Sequence, residues 1–289
     1  MFMPLTITIE LALIYSLVAL GVYLSFRIIN FPDLTVDGTL PLGASVAAIL
    51  LTKEYHPLVA TLVATGAGVF AGMVTGYLHV RFRIMGLLAG ILVMTALYSI
   101  NIHVMGKPNI ALLNVETLFS DSAYELYLLA AIIIAVFMSI KLFLASQYGL
   151  ALRASGINPK VSRSYGVNVD RNIIVILAIS NGLVALAGAL LAQIQGFADV
   201  SLGIGTITIG LAAVMIGEAF LSAYRGLFFK LIGCLLGSLL YRVAVGLAMN
   251  NQLLGLQSTD LNMITAILIA VALMMPRLRI EKKNNDTIK

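Results

Sequence analysis

The sequence predicts an all-α polytopic membrane protein with about nine transmembrane runs, including broken helices, an outward N-terminus and a cytoplasmic C-terminus. Composition is the first reason: 60% of the 289 residues are hydrophobic and 11% are charged, too few to cover a water-soluble globule. The second reason is that most apolar runs are about 20 residues long, enough for a helix to cross a bilayer. Strands of a transmembrane barrel would instead alternate apolar and polar residues.

The distribution of positive charge sets the predicted orientation. Residues 141–171 form the longest basic interruption between apolar runs, and basic loops are typically cytoplasmic. With this loop inside, all Lys and Arg residues except Lys53, Lys107 and Arg242 fall on the cytoplasmic side. The formal charge of +5 therefore reflects membrane topology and does not indicate nucleic-acid binding. The chain is interpreted as one permease-like domain, 1–289, with halves 1–140 and 172–275, the basic loop 141–171 and a tail 276–289.

The first half begins with an apolar run over about residues 6–29 that lacks the basic start and cleavage site of a signal peptide, so it is expected to remain as a helix. The following NFPDLTVDGT contains proline, glycine and two aspartates, which cannot all continue a lipid-facing helix. Residues 40–51 are too short to span and are predicted to be half of a broken helix.

Three longer runs complete the first half, at about residues 57–80, 84–101 and 125–146. The first of them carries Gly68, Gly72 and Gly76, a spacing that predicts a helix face for close packing. Residues 102–124 are expected to form an external loop.

The second half contains runs at about residues 172–194, 206–224 and 226–249, then a polar external turn and a last run that stops at Pro276. Two intramembrane charges need an explanation, since such charges are expensive. Glu218 is expected to snorkel or to pair with Arg225 or Lys230, and Arg242 to form a structural pair or to meet a solute carboxylate.

An internal repeat relates residues 31–43, FPDLTVDGTLPLG, to residues 197–210, FADVSLGIGTITIG. Five predicted crossings separate the copies, and an odd number reverses the second copy relative to the first. Interrupted segments in two inverted halves indicate a solute pathway. Alternatively, Asp33 and Asp199 only cap the helices that follow. The predicted pathway residues are Phe31, Asp33, Thr35, Asp37, Phe197, Asp199, Ser201 and Gly205.

Within the basic loop, the sequence predicts two short helices. The first is expected to be closed by Gly156, and the second to begin with Asn158 as N-cap and Pro159 at the first position and to end at Gly166. Two capped helices would form a compact unit projecting from the membrane. A docking role explains such a unit better than a plain solvated loop does.

The basic loop and the runs after it also carry a motif. YGLALRASGINPKVSRSYGVNVDR is followed by ALAG and then by SLGIGTITIGLAAVMIGEAF. This pattern resembles the membrane permeases of ATP-binding-cassette importers in the branched-chain amino-acid and ribose-type family, and the resemblance extends over about residues 6–275. The matching positions are Gly149, Arg153, Ala154, Gly156, Asn158, Gly166, Val167, Asn168, Ala185, Gly188, Gly203, Gly205, Ala212, Ala213, Val214 and Gly217.

The resemblance implies partners: cytosolic ATP-binding subunits, a second permease copy that would make a homodimer, and an extracytoplasmic solute-binding protein, all at the bacterial cytoplasmic membrane. It also implies that the basic loop couples the permease to the ATPase. This sequence departs from the family pattern at three positions. Asp37 replaces a glycine that is usual in the first half, and Glu218 and Ala219 replace the second glycine of the later segment and its neighbour. The implied coupling residues are Gly149, Arg153, Ala154, Gly156, Asn158, Pro159, Arg163 and Gly166.

The sequence lacks GxxxxGK[ST], so ATP is expected to be hydrolysed on a partner chain. No cofactor, metal site or catalytic residue is predicted, and the single cysteine, Cys234, is interpreted as a buried apolar residue. The expected function is import of a small polar solute by alternating access. The resemblance to shorter members favours an amino acid, branched-chain or aromatic. The alternatives are a nucleoside or pentose as solute, a gradient-driven transporter or channel and, more weakly, a membrane-embedded enzyme.

Overall fold

The computed structural model describes residues 5–120, 124–221, 226–250 and Ala270. Seven helices in this part of the chain are long and apolar enough to cross a membrane, and one shorter apolar helix accompanies them. The all-α polytopic fold is therefore confirmed. Apart from Ala270, the predicted last run, the external turn before it and the tail 276–289 lie outside the described residues. The helices are α1 (Leu5–Val22), α2 (Val36–Thr52), α3 (Pro57–Phe82), α4 (Gly86–Met105), α5 (Glu125–Ala145), α6 (Gln147–Ile157), α7 (Pro159–Ser164), α8 (Val169–Gln195), α9 (Thr206–Phe220) and α10 (Leu227–Asn250).

Helices α1 and α8 form the centre of the molecule. In their apolar stretches 72% of the residues are buried inside the protein, compared with 28% for α4 and α5. α1 continues as a π-helical turn over Tyr23–Ile28, and the chain then reverses at Asn30, which has a φ of 55°. The two helices contact each other at Gly21, whose carbonyl oxygen accepts a hydrogen bond of 2.7 Å from the Ser180 hydroxyl.

The predicted glycine face of α3 is confirmed, and it packs on α8. An added Cβ would lie 2.1 Å from the Leu177 carbonyl oxygen at Gly72, and 2.6 Å from that of Asn181 at Gly68. A Cβ at Gly76 would lie 2.8 Å from Cα of Ile174. As the residue numbers of these contacts increase along α3, those of their partners on α8 decrease, so the two helices are antiparallel.

Helix α2 runs parallel to α8. Thr39 donates a hydrogen bond of 3.0 Å to Asn181, and Gly43, one turn later, packs on Ala185, also one turn later. α2 begins four residues before the predicted start and contains Pro41 in its interior. At 17 residues it remains shorter than the spanning helices.

Two short strands, which the sequence analysis did not predict, join loops that are distant in the chain. β1 (Asn109–Ala111) pairs antiparallel with β2 (Phe197–Asp199), with Asn109 opposite Asp199. The loop before α5 and the segment after α8 therefore lie at the same end of the molecule, called here the strand end. α6 and α7 lie at the other end of α8, called here the basic-loop end.

Candidate functional site

The two copies of the internal repeat meet inside the molecule, at a junction formed by residues 29–39 and 197–207. Asp37 lies in the first turn of α2, and its Oδ1 accepts a hydrogen bond of 2.7 Å from the backbone N–H of Ile207, in the first turn of α9. A carboxylate is well placed there, because the first N–H groups of a helix have no partner within the helix.

The helices on either side of the junction run in opposite directions. α9 is parallel to α1, since Gly210 packs on Val18 and Val22 while Glu218, two turns later, reaches Arg27. α1 is antiparallel to α8 and α2 is parallel to α8, so α2 and α9 are antiparallel. The repeat copies thus have the reversed directions that the sequence predicts.

A proline and a glycine allow the two segments to approach closely. Pro41 has no N–H, so it cannot donate the helical hydrogen bond that the carbonyl oxygen of Asp37 would otherwise accept. Gly203 packs on that oxygen, and a Cβ at position 203 would lie 1.8 Å from it. A side chain at 203 would therefore force the segments apart.

Asp33 is buried in a network of hydrogen bonds. Its Oδ1 accepts from the backbone N–H of Thr35 at 3.0 Å, and its Oδ2 accepts from Nδ2 of Asn181 at 2.6 Å. The Thr35 hydroxyl in turn lies 2.8 Å from that of Thr75. These contacts hold the turn before α2 against α3 and α8. Asp33 bonds the N–H of Thr35, which is the N-cap of α2, so Asp33 shapes the turn without capping α2 itself.

Asp199 makes the equivalent turn in the second copy, where it is the N-cap of a short 3-10 turn over Val200–Gly203. Its side chain accepts 2.7 Å from the N–H of Ser201 and 2.9 Å from Nδ2 of Asn109. Partial burial raises the pKa of Asp199, but the hydrogen bonds from Asn109 and Ser201 outweigh it, so the pKa lies below its ordinary value. The carboxylate therefore stays charged and links the two strands.

A cavity of about 260 Å³ opens beside the junction, between α2, α4 and the segment after β2. Asp37 is the predicted pathway residue that lines it. Phe31 packs edge-on against His79 with ring centroids 5.1 Å apart, and Gly205, with a φ of 80°, is the N-cap of α9. The lining residues are Asp37, Gly38, Pro41, Met94, Thr95, Tyr98, Asn101, Val200, Gly203 and Ile204.

The basic loop folds into the two predicted helices, α6 and α7. Asn158 caps α7 by accepting from the N–H of Val161 at 3.2 Å, Pro159 occupies the first position, and Gly166, with a φ of 81°, follows the helix end. The prediction for Gly156 is wrong, because α6 continues through Ile157. Gly156 is instead a site of close approach: its Cβ would lie 1.7 Å from the carbonyl oxygen of Ile28.

α6 and α7 pack against the ends of other helices and do not project freely from them. Ser155 of α6 accepts a hydrogen bond of 2.8 Å from Asn172 of α8, and Arg163 pairs with Asp170 at 2.6 Å. A second cavity, of about 550 Å³, separates α6 from the ends of α1 and α9. It is lined by Tyr23, Arg27, Ile28, Leu150, Arg153, Ala154, Ile157, Glu218, Leu227 and Lys230.

Three charged residues of the helices have partners that the sequence analysis did not identify. Glu218 forms a two-pronged ion pair with Arg27, 191 positions away, and Arg225 lies outside the described residues. Arg242 lies over the ring of Tyr15, 3.9 Å from its centroid. Lys141 lies 4.7 Å from the ring centroid of Phe228.

Comparison with known proteins identifies the family of this chain. The family model described as the permease component of branched-chain amino acid transport systems matches residues 5–274. The chain belongs to this family. It is thus an ABC-type permease of the branched-chain and ribose family and a multi-pass protein of the bacterial plasma membrane.

Several curated relatives share most of the permease. A tyrosine transport system permease protein of Clostridioides difficile is 42% identical over 276 residues, which cover 95% of this chain and 92% of the relative. An uncharacterized protein of Rickettsia prowazekii is 34% identical, covering 92% and 95%. A ribose import permease of Escherichia coli is 26% identical, covering 84% and 76%. No solved structure matches the chain.

Sequence reasoning missed the roles of Asn101 and Asn181 in the permease's junction, and the packing of Gly203 on Asp37. Asn101 is fully buried in α4, and its Nδ2 donates 3.2 Å to the carbonyl oxygen of Gly38. A polar residue within an apolar run was the available signal for Asn101 and Asn181.

Proposed function

We propose that this permease is the membrane subunit of an ATP-driven importer and moves an amino acid, aromatic or branched-chain, by alternating access. Cytosolic ATP-binding subunits dock on α6 and α7, an extracytoplasmic binding protein delivers the solute at the strand end, and a second copy of the chain completes the transmembrane part. The chain itself performs no covalent chemistry.

The observation that carries the docking role is an exposed apolar patch on α6 and α7, outside the spanning helices. Ile157 is 86% exposed and Tyr165 is 84% exposed, and Val161 between them is also exposed. Large apolar side chains that cluster on a water-facing surface typically mark a protein interface. The neighbouring Lys160 adds positive charge, which favours a partner with an acidic rim.

A continuous set of contacts leads from this patch to the junction. α6 packs on the end of α1 through Gly156 and Ile28. The end of α1 holds the end of α9 through Arg27 and Glu218. The start of α9 is held to the start of α2 through Ile207 and Asp37. Movement of α6 by a docked partner would therefore displace α9 relative to α2.

The solute class is supported by the relatives. The Clostridioides difficile relative at 42% identity is named for tyrosine transport, whereas the Escherichia coli relative named for ribose import is 26% identical. An amino acid is therefore the first solute to test, with ribose as the comparison.

Cysteine cross-linking tests the docking surface. Ile157→Cys on the patch should form a cross-link with a cysteine placed in the ATP-binding subunit. Leu113→Cys is the matched control, since Leu113 is 79% exposed but lies at the strand end. The 27 residues of α8 separate the two ends by roughly 40 Å at 1.5 Å per residue. Cross-linking at 157 and none at 113 supports the proposal. The reverse pattern, or no complex with an ATP-binding subunit, contradicts it.

A further inference from the structure

We propose that the cavity beside the junction binds the ammonium group of the transported amino acid, with Oδ1 of Asn101 and the carboxylate of Asp37 as its acceptors. This inference rests on the proposed import of an amino acid and assigns the part of the solute that the junction recognises.

The orientation of the Asn101 side chain is fixed by a neighbour that can only accept. Its Nδ2 lies 3.2 Å from the carbonyl oxygen of Gly38. A reversed amide would place two acceptors against each other, so the oxygen must be the other terminal atom. Within the part of the chain that the structure describes, Oδ1 of Asn101 has no hydrogen-bond partner, although the residue is fully buried.

A buried amide oxygen without a partner is costly, and it is therefore uncommon in folded proteins. Asn101 is one of the residues that line the cavity, so a solute bound there would lie against this side chain. The position is thus ready for a ligand that donates hydrogen bonds.

Asp37 adds negative charge to the same cavity. One of its oxygens accepts from the N–H of Ile207, which leaves the carboxylate with further acceptor capacity. The described residues that line the cavity include neither Lys nor Arg, so a carboxylate or phosphate of a solute would meet the Asp37 carboxylate and no cation. An ammonium group carries three donors and a positive charge, which suits an amide oxygen and a carboxylate together.

The remaining walls suit the side chain of an amino acid. Pro41, Met94, Tyr98 and Ile204 provide apolar and aromatic surface. Tyr98 and Ile204 are exposed at the mouth, so a side chain can pack between them. A volume of about 260 Å³ is slightly below the usual range for pockets that hold drug-sized ligands, which favours a smaller solute.

Competition binding tests the chemical class of the ligand. The probe is radiolabelled L-tyrosine, bound to the purified permease with its ATP-binding subunits and without the binding protein. Tyramine keeps the ammonium group and lacks the carboxylate, whereas hydroxyphenylpropionate has the opposite pattern. We expect tyramine to compete at least about tenfold better, because a charge-assisted hydrogen bond contributes about that factor. Equal or better competition by hydroxyphenylpropionate, or displacement by D-ribose instead, overturns the proposal.

Substitution of Asn101 tests the named acceptor. Asn101→Leu should weaken tyrosine and tyramine binding at least about tenfold. Thr65→Val is the control, because the Thr65 hydroxyl bonds 2.8 Å to the Thr61 carbonyl within its own helix. Wild-type affinity in Asn101→Leu overturns the assignment.

A second measurement tests the proposal even if the Asn101→Leu variant does not fold. Thr95→Cys places a thiol on the exposed wall of the cavity, where aminoethyl and sulfonatoethyl methanethiosulfonate can be compared. The cationic reagent should react faster, that preference should fall in the additional Asp37→Asn background, and tyramine should protect the thiol. Faster reaction of the anionic reagent, or no protection by tyramine, overturns the proposal.

Different results would exclude the importer function and the ammonium site. ATP-driven uptake of tyrosine with unchanged apparent affinity in Asn101→Leu would overturn the ammonium site and leave the importer intact. Absence of ATP-driven uptake in the wild-type complex would overturn the importer, whatever the labelling at position 95 shows.

Discussion

At the residue scale, the junction depends on a few positions where the two copies of the repeat are in close contact. The Asp37 carboxylate accepts a hydrogen bond from the first turn of α9. Gly203, which has no side chain, lets the segment after β2 pack on the Asp37 carbonyl oxygen. Asp33 and Asp199 each bond the N–H two residues ahead, so both copies of the repeat use the same turn. Gly38 of the first copy aligns with Gly205 of the second copy. The two glycines differ in position, because Gly38 lies inside α2 whereas Gly205 precedes α9.

We predict that Gly203→Ala destabilises the permease by about 1–3 kcal/mol, the usual cost of overpacking a filled site. The added Cβ would lie 1.8 Å from the Asp37 carbonyl oxygen and would push α2 and α9 apart. Thermal unfolding in detergent can be followed with a thiol-reactive fluorescent maleimide, since Cys234 is the only cysteine of the sequence and is buried.

Gly66→Ala is the control for this change. A Cβ at Gly66 meets nothing within 4 Å, and alanine is a better helix former than glycine by about 0.5–1 kcal/mol. The control should unfold at the wild-type temperature or slightly above it. An unfolding temperature of Gly203→Ala equal to that of the control would show that the close approach is not required.

At the scale of elements, the sequence predicted what local patterns determine. The glycine spacing predicted the packing face of α3, and Asn158 and Pro159 predicted the start of α7. Contacts between distant segments could not be derived in this way. Asp37 and Ile207 are 170 positions apart and Arg27 and Glu218 are 191 apart, and no periodicity connects such pairs. Gly156 was misassigned because a glycine near a helix end also suits close packing.

We predict that the contact between the ends of α1 and α9 depends on the ion pair of Arg27 with Glu218. Glu218→Gln and Arg27→Gln should each slow coupled uptake, with a loss of stability below about 1 kcal/mol because the pair is partly exposed. The charge swap, Arg27→Glu with Glu218→Arg, should recover much of the uptake. Rates are measured in proteoliposomes that contain the complete transporter.

The comparison among these variants separates pairing from charge alone. If the swap transports no better than either single variant, the two side chains do not act as a pair. If the single variants transport at the wild-type rate, the contact has no part in coupling.

At the scale of the whole molecule, α8 connects the two ends that the importer would use. The basic-loop end carries α6, α7 and the exposed apolar patch, and the strand end joins β1 to β2. The junction lies between them, where the two antiparallel helices α2 and α9 begin. In membrane transporters, broken helices at the interface of inverted repeats typically surround the solute, and rocking of one half against the other gives alternating access.

The most direct test of this account is uptake of radiolabelled L-tyrosine into proteoliposomes that contain the permease, its ATP-binding subunits and the binding protein. We expect uptake that requires ATP. In Gly156→Ala, whose Cβ would displace α6 from Ile28, we expect ATP hydrolysis to continue while uptake is lost. Gly66→Ala should transport normally. Gradient-driven tyrosine flux through the chain without ATP-binding subunits, or normally coupled uptake in Gly156→Ala, would contradict the account.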